Sequence, residues 1–350
     1  MKFGLAGLKF AGQRTLRRQA TPGKRDNGGV LNILLVTFPF FALVLAGFVA
    51  ARRGLLPLDA IPGLNGFVLY FALPCMLYRF GASTPLAQLL DASVFFTYLF
   101  CALVLVGFVV ATSLNRRIGW NDAAFGALVA AFPNTGFMGV PLLVALLGSA
   151  AAGPTIVAIV VDMVVTSSLC IALSRLDTAG EHGFQKAGRD ALRGVLRNPM
   201  PWAILLGGVS SAVQLQLPAP LMNTVGLLAD AASPVALFTI GAVLARSQMR
   251  AAALGAAPIP RRDYLPVVGV KLLLHPLLVW LVGASAIQLG VPLDRFALTV
   301  MVLVAALPSA SNVSLLAERF GADNGRIARI ILVSTATAFF SFSLAVAWMT

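Results

Sequence analysis

Long apolar runs, separated only by short polar stretches, constrain this 350-residue chain more than any other feature. Charged residues make up 11% of the chain, whereas soluble domains carry about 25%. A membrane-spanning helix needs about 20 apolar residues, and the runs here are continuous instead of alternating, which argues against a β-barrel. The sequence therefore predicts an all-α polytopic membrane protein.

About ten segments are predicted to span the membrane, and short loops connect them. They lie near 32–51, 65–83, 92–113, 122–147, 153–174, 200–216, 222–245, 264–288, 295–318 and 327–348.

Lys and Arg are concentrated in the odd-numbered loops, which indicates how the chain is oriented. The positive-inside rule places these loops in the cytoplasm and, with ten spans, both termini outside. Residues 1–29 conflict with this orientation because they are rich in Lys and Arg. Two hypotheses stay open: translation starts near Val30, or residues 1–29 form a disordered cytoplasmic tail and the number of spans is odd. Nucleic-acid binding does not explain the net charge of +13, since the basic residues lie between apolar runs.

Two segments recur in the same order in both halves of the chain, which predicts an internal repeat. Leu-Val-Ala-Ala-Phe-Pro-Asn at 128–134 returns as Leu-Val-Ala-Ala-Leu-Pro-Ser at 303–309. The stretch 56–74, which begins with Leu-Pro and ends with Pro, has a counterpart at 217–234. Each half then holds five spans, and because five is odd the halves insert in opposite orientations, as in many secondary transporters. The predicted organisation is a basic tail at 1–29, a first repeat at 30–174, a cytoplasmic loop at 175–199 and a second repeat at 200–350.

The fourth and ninth predicted spans each contain a proline beside small and polar residues. Proline removes a helical hydrogen bond, and in lipid the freed carbonyl must find another partner. Both spans are therefore predicted to unwind near mid-membrane, where half-helix N-termini favour an anionic substrate. A simple kink, satisfied by neighbouring helices, is the alternative. The candidate binding residues in these clusters are Pro133, Asn134, Thr135, Gly136, Gly139, Pro308, Ser309, Ser311 and Asn312.

Ionisable side chains inside the predicted spans are candidates for ion coupling, because a charge in lipid is costly. Asp162 lies in the middle of the fifth span, with Thr166 one turn later on the same face. Asp162 is predicted to bind a proton or a cation, or else to be hydrogen-bonded to a neighbouring span. Lys271 and His275 share one face of the eighth span. The alternatives are that Lys271 snorkels to the cytoplasmic edge and that His275 bonds a carbonyl freed by Pro276.

Other chemistry is not expected. His182 in a loop and His275 in a span cannot form a metal cluster alone, and no phosphate-binding loop is present. No nucleophile–base pair suggests an intramembrane enzyme. The three cysteines have no metal-binding spacing and are interpreted as small buried hydrophobes. Neither a cofactor nor an enzymatic activity is therefore predicted.

Three motifs resemble those of a known transporter family. The stretch Pro-Asn-Thr-Gly-Phe-Met-Gly-Val-Pro at 133–141 resembles the Pro-Asn-Thr-x-x-Met-Gly-x-Pro stretch of the auxin efflux carrier family. Ala-Ala-Leu-Pro at 305–308 is similar to the matching stretch in that family's second half, and Phe-Ala-Leu-Pro at 71–74 to its second-span motif. The family includes plant PIN auxin exporters and bacterial malonate or malate permeases, and the resemblance covers residues 30–350.

The resemblance implies ten helices in a five-plus-five inverted repeat, related to sodium/proton antiporters and bile-acid symporters. Spans 4 and 9 would cross at their prolines and hold the substrate there. Spans 1, 2, 6 and 7 would form a scaffold, and spans 3–5 and 8–10 a transport domain that moves like an elevator. The short central loop at 175–199 fits the bacterial members.

The predicted function is secondary transport of a small organic anion, a malonate- or malate-like carboxylate or an auxin-like acid, across a bacterial inner membrane. Coupling to protons or sodium is an open expectation. The expected partners are the carboxylate substrate and membrane lipid, with a homodimer as an option and no nucleic acid. The alternative from another class is a channel or a ligand sensor without active transport.

Overall fold

The computed structural model describes most of the chain as helices and the loops between them. The described residues are 28–176, 189, 193, 196–253 and 259–350. Within these ranges the prediction of an all-α chain is confirmed. The predictions for the basic tail at 1–29 and the central loop at 175–199 fall largely outside them, and His182 lies outside as well.

We number twelve helices of more than one turn in the described residues. They are α1 (Gly28–Arg52), α2 (Leu58–Ser83), α3 (Ala92–Ser113), α4 (Trp120–Ala131), α5 (Thr135–Leu147), α6 (Ser149–Leu173), α7 (Pro199–Ala212), α8 (Ala219–Ala253), α9 (Arg261–Gln288), α10 (Arg295–Ala306), α11 (Asn312–Phe320) and α12 (Asn324–Met349).

Seven of these helices are long and apolar enough to cross a membrane, namely α1, α2, α3, α6, α8, α9 and α12. The chain is therefore a multi-pass membrane protein. The fourth predicted span consists of two helices, α4 and α5, and the ninth consists of α10 and α11. The sixth predicted span corresponds to α7, which has 14 residues and is not among the seven long helices. The total of ten membrane crossings therefore stays a prediction.

Helix ends differ most from the predicted boundaries in the second and seventh spans. The helix α2 begins at Leu58, seven positions before the predicted 65, and α8 extends over Ala219–Ala253 instead of 222–245. Hydropathy marks the part of a helix that lipid or protein surrounds, whereas helix ends are set by caps and loops. Aspartates supply several such caps: Asp91 accepts hydrogen bonds from backbone N–H groups at the start of α3, and Asp294 and Asp323 do so for α10 and α12.

The helices group into two bundles by their contacts. The first, which we call the four-helix bundle, joins α1 to α8, α2 to α7 and α2 to α8. The second, the eight-helix bundle, contains α3–α6 and α9–α12, with α3 against α4 and α9, and α10 against α6, α9 and α12. The bundles meet where α1 and α8 touch α5 and α12, and where α2 touches α6.

Glycines let the helices of the four-helix bundle approach closely. Gly47 of α1 and Gly241 of α8 each face a backbone carbonyl of the other helix, which a Cβ would overlap. Gly81 of α2 and Gly207 of α7 meet similarly, with 3.2 Å between an ideal Cβ on Gly81 and the Cα of Gly207. Small residues at such crossings are what allow helices to pack in lipid, where no hydrophobic force drives them together.

A buried arginine ties the eight-helix bundle together at one end. Arg326 of α12 is 3% exposed and donates to the carbonyl of Asp263 on α9, at 2.7 Å, and to that of Asp122 on α4, at 2.8 Å. The guanidinium fits because residue 126 of α4 is glycine: an ideal Cβ there would lie 2.8 Å from a terminal nitrogen of Arg326. Arg326 therefore contributes to packing as well as to the positive charge of the loops.

Asp230, a second acidic residue of a predicted span, has a surface role. Its carboxylate accepts a hydrogen bond from Arg79 of α2 at 2.7 Å, and the Asp230 side chain is 69% exposed. Exposed ion pairs contribute about 0–1 kcal/mol in water. The pair accounts for one of the few arginines that lie outside the odd-numbered loops.

We expect Gly241→Ala to lower the stability of the protein by about 1–3 kcal/mol, because the new methyl group overlaps a carbonyl of α1 and forces the helices apart. The matched control is Gly226→Ala on the same helix, where nothing lies within 4 Å of the added Cβ. Melting temperatures in detergent compare the two variants. Equal melting temperatures would show that the α1–α8 contact is looser than described.

Candidate functional site

Both broken spans break at the same point in the protein. After α4 and α10 end, the chain continues as two short extended segments that run antiparallel, with Pro133 opposite Ser309. The N–H of Asn134 donates to the carbonyl of Pro308 at 2.8 Å, and the N–H of Ala310 donates to that of Phe132 at 3.0 Å. Each break therefore provides hydrogen-bond partners for the other. We call this point the crossing. The predicted unwinding at Pro133 and Pro308 is confirmed, and the alternative of a simple kink is wrong.

The residues after Pro133 divide into packing and polar positions. Thr135 is buried and is hydrogen-bonded to the break itself, because its N–H and its hydroxyl both donate to the carbonyl of Pro133, at 2.8 and 3.3 Å. Gly139 packs against the opposite break, because a Cβ there would lie 2.7 Å from a methyl group of Leu307. Gly136 is less restricted, with 3.8 Å to its nearest neighbour, Leu73. Gly139 thus serves the close contact of the two segments.

Three buried polar atoms at the crossing have no hydrogen-bond partner among the described residues. They are the Oδ1 atoms of Asn134 and Asn312 and the hydroxyl of Ser309. Asn134 is 4% exposed and Ser309 1% exposed, so bulk water does not reach them freely. Buried polar groups are normally paired, and a group of unpaired ones is a candidate ligand site. Ser311 is half-buried and lies just before α11, and its carbonyl accepts from the N–H of Ser314 at 3.2 Å.

A cavity of about 250 Å³ adjoins the crossing on the side of the central loop. Its lining includes Phe132, Asn312 and Ser167, together with the three basic residues Arg193, Arg197 and Arg319. These arginines are exposed and give the cavity a positive charge. Sequence reasoning did not single them out as site residues, because basic residues occur in every cytoplasmic loop. Only the fold brings these three together beside Asn312.

The ion-coupling candidates form one buried cluster with a residue that sequence reasoning missed. Asp162 of α6, Lys271 and His275 of α9, and Tyr98 of α3 are all fully buried. Tyr98 donates its hydroxyl to the Asp162 carboxylate at 3.2 Å, and the Lys271 ammonium lies 3.1 Å from Nδ1 of His275. The available signal was that a tyrosine inside an apolar span needs a partner for its hydroxyl. Thr166 also donates to Asp162, at 3.4 Å, which confirms that the two share a face.

The alternative roles proposed for Lys271 and His275 are wrong, whereas the hydrogen bond proposed between Asp162 and a neighbouring span is present. Lys271 does not snorkel, since it is fully buried and donates to the carbonyl of Ala305 at 3.0 Å. His275 contacts Lys271 instead of a freed carbonyl, and its Nε2 atom has no hydrogen-bond partner within the described ranges. Asp162 is hydrogen-bonded to a neighbouring helix, through Tyr98. A coupling role for Asp162 stays a prediction.

Irregular helix turns coincide with these polar residues. Asp162 lies in a π-helical turn at Val161–Thr166, Lys271 in one at Val270–Leu274, and Asn134 directly precedes a third at Thr135–Gly139. Such turns are rare and occur frequently at functional sites, because they rotate a side chain out of the regular helix register. The crossing and the buried cluster thus share this feature. They also share a helix, since Ala305, which binds Lys271, lies in the last turn of α10 just before Pro308.

The known proteins that are similar to this chain are named as membrane transporters. The family described as "Membrane transport protein" matches residues 33–346. A protein of Rhizobium meliloti named "Putative malonate transporter" is 30% identical over 304 residues, which is 86% of this chain and 90% of that protein. The "Uncharacterized transporter YfdV" of Escherichia coli is 29% identical over 289 residues, 81% of this chain and 86% of that protein. An "Uncharacterized transporter" of Methanothermobacter thermautotrophicus is 26% identical over 304 residues, 86% of this chain and 93% of that protein.

We expect Tyr98→Phe to destabilise the protein by about 1–3 kcal/mol, because it removes a hydrogen bond to the buried Asp162 carboxylate. Tyr70→Phe is the control, since Tyr70 is 63% exposed on α2. The measurement is the melting temperature of each purified variant. If both variants melted at the wild-type temperature, the Tyr98–Asp162 bond would contribute nothing to the fold.

Proposed function

The chain belongs to the membrane transport protein family, which confirms its resemblance to the auxin efflux carriers, and on this premise we propose that it is a secondary transporter of small carboxylates. The proposed substrate site is the crossing, and the proposed location is the bacterial inner membrane. The observation that carries the proposal is the set of unpaired polar atoms on Asn134, Ser309 and Asn312, enclosed by protein beside a positively charged cavity.

The chemistry of the crossing suits a carboxylate. The Ser309 hydroxyl donates a hydrogen bond, and each asparagine amide offers two donors once it turns its nitrogen toward the ligand. Hydrogen bonds to an ionised acceptor are about twice as strong as neutral ones. The α5 and α11 helices begin at this point, and helix N-termini favour negative charge. A bound carboxylate would therefore accept hydrogen bonds from the Ser309 hydroxyl and from the turned amide nitrogens, while the Oδ1 atoms, which are acceptors, would face other donors.

The cavity favours a substrate with a second negative charge. Arg319 and Arg197 line the cavity together with Asn312. Guanidinium groups bind carboxylates in a two-pronged geometry. A short dicarboxylate could then place one group at the crossing and the other among the arginines. The relative named for malonate transport supports this class, although that name describes the relative alone.

An inverted repeat that moves as an elevator is the proposed mechanism. Gly81 and Gly241, which make the close contacts of the four-helix bundle, follow Pro74 and Pro234 at the same spacing. The pairing of α1 with α8 then corresponds to that of α7 with α2, as two inverted halves would require. The four-helix bundle would be the stationary scaffold. The eight-helix bundle, held together by Arg326, would carry the crossing across the membrane as a rigid unit.

Uptake into proteoliposomes tests the substrate and its site together. We expect saturable malonate uptake by the wild type, with trans-stimulation by internal malonate, which a channel or a ligand sensor would not show. Asn134→Ala should raise KM about tenfold, the equivalent of one charge-assisted hydrogen bond. Asn121→Ala is the matched control, because Asn121 also has a buried unpaired Oδ1 but lies in the first turn of α4. An unchanged KM in Asn134→Ala would remove the crossing from the site.

Coupling is proposed to occur through Asp162. If Asp162 carries the coupling ion, Asp162→Asn should abolish accumulation against a gradient and leave substrate exchange intact, because exchange needs no net ion movement. Thr155→Val is a suitable control, since Thr155 is a buried polar residue of the same helix whose hydroxyl donates within its own turn, to the carbonyl of Ala151 at 2.6 Å. Normal accumulation by Asp162→Asn would refute the role.

A further inference from the structure

The C-terminal end of α10 lies inside the protein, where its last carbonyls need partners. In a continuing helix the carbonyl of Ala305 would accept from the N–H of residue 309. That bond is not made, because α10 ends at Ala306 and the N–H of Ser309 donates to the Ser334 hydroxyl at 3.3 Å. The Ala305 carbonyl accepts instead from the Lys271 ammonium, at 3.0 Å. A lysine from another helix thus caps this end of α10.

This end of α10 is an electrostatic site for a cation. Helix C-termini carry a partial negative charge, and in transporters half-helix C-terminal ends and unwound carbonyls commonly coordinate sodium ions or protons. The fully buried Asp162 carboxyl group also interacts electrostatically with Lys271, without an ion pair within 4.0 Å. A carboxyl group of α6 and a carbonyl of α10 therefore both interact with one lysine of α9.

The contact with His275 fixes how the ammonium is held. While Lys271 is an ammonium it has three donors and no acceptor, so Nδ1 of His275, at 3.1 Å, accepts from it and a neutral His275 carries its proton on Nε2. Lys271 is thereby bound from its own helix by His275 and from α10 by Ala305, and it is fully buried. Lys271 lies in the π-helical turn Val270–Leu274, which helps to direct it inward.

We propose that the Lys271 ammonium is a resident cation that fills the position at the end of α10 where a coupling sodium ion would otherwise bind. The protein therefore transports its substrate without sodium, so that a coupling ion at Asp162 would be a proton, and an external metal cation binds there only after Lys271 is removed. The expectation of sodium-independent uptake rests on the proposed transport function. The assignment of Lys271 to the cation position rests only on the contacts that Lys271 makes.

Two measurements on the wild type come first. We expect the melting temperature of the purified protein to be the same in sodium chloride and in choline chloride at equal ionic strength. We also expect malonate uptake to be unchanged when choline replaces sodium on both sides of the proteoliposome membrane. A saturable rise in melting temperature with sodium, or uptake that requires sodium, would overturn the proposal.

Two substitutions at the same position then separate charge from space. Lys271→Ala removes the ammonium and leaves room for an ion, whereas Lys271→Met removes the charge but fills the space. Both should melt below the wild type in choline chloride. Sodium should raise the melting temperature of Lys271→Ala saturably by several degrees and should leave Lys271→Met unchanged. A folded Lys271→Ala that responds to sodium no more than Lys271→Met does would contradict the resident-cation role.

A double variant decides the matter if Lys271→Ala gives no folded protein. Lys271→Met alone leaves the buried Asp162 carboxyl group without its electrostatic partner, and adding Asp162→Asn makes residue 162 neutral at every pH. Recovery of a monodisperse protein by the double variant would support the charge balance, and failure to recover would overturn it. Melting temperature and monodispersity are measured without substrate. If the wild type showed no malonate uptake, that result would count against the proposed function, and the melting temperatures would still test the cation site.

Discussion

The backbone hydrogen bonds exchanged between Pro133 and Ser309 are the interaction on which the rest of this structure depends. Two helices, α4 and α10, stop inside the protein, where their buried ends are away from water and need hydrogen-bond partners. The two breaks solve this together, because Asn134 donates to Pro308 and Ala310 donates to Phe132. Neither break would be stable alone. The mutual pairing brings helix ends and polar side chains from both halves of the chain to one enclosed point.

The buried charges follow from the same break. Ending α10 at Ala306 leaves a carbonyl without its helical partner, and Lys271 supplies the missing donor. Burying an ammonium is costly unless it is paired and hydrogen-bonded, which explains why Asp162 and His275 lie close by. The crossing and the buried cluster therefore both depend on the end of α10. Asn312 lines the cavity and Asn134 and Ser309 are buried at the crossing beside it, while Lys271 contacts the end of α10.

Much of the fold and the location of the site follow from local sequence patterns. Long apolar runs predict helices because each backbone group must be paired within its own segment in lipid. Pro133 and Pro308 predict breaks because proline cannot donate a hydrogen bond wherever it lies. Tyr98, Arg197 and Arg319 could not be assigned in this way. A tyrosine in an apolar span and an arginine in a cytoplasmic loop are ordinary in any membrane protein, and their roles depend on neighbours far away in the chain.

The sequence by itself determined that this chain is helical, lies in a membrane, belongs with a transporter family and carries two polar breaks. These properties arise from composition, proline chemistry and motif spacing, which are local. Only the tertiary structure decided that the two breaks pair with each other, that Asp162, Lys271, His275 and Tyr98 form one cluster, and that Lys271 is buried on the end of α10 instead of reaching the membrane surface. The physical reason is that a buried polar group is defined by its partner, and these partners come from helices that only folding brings together.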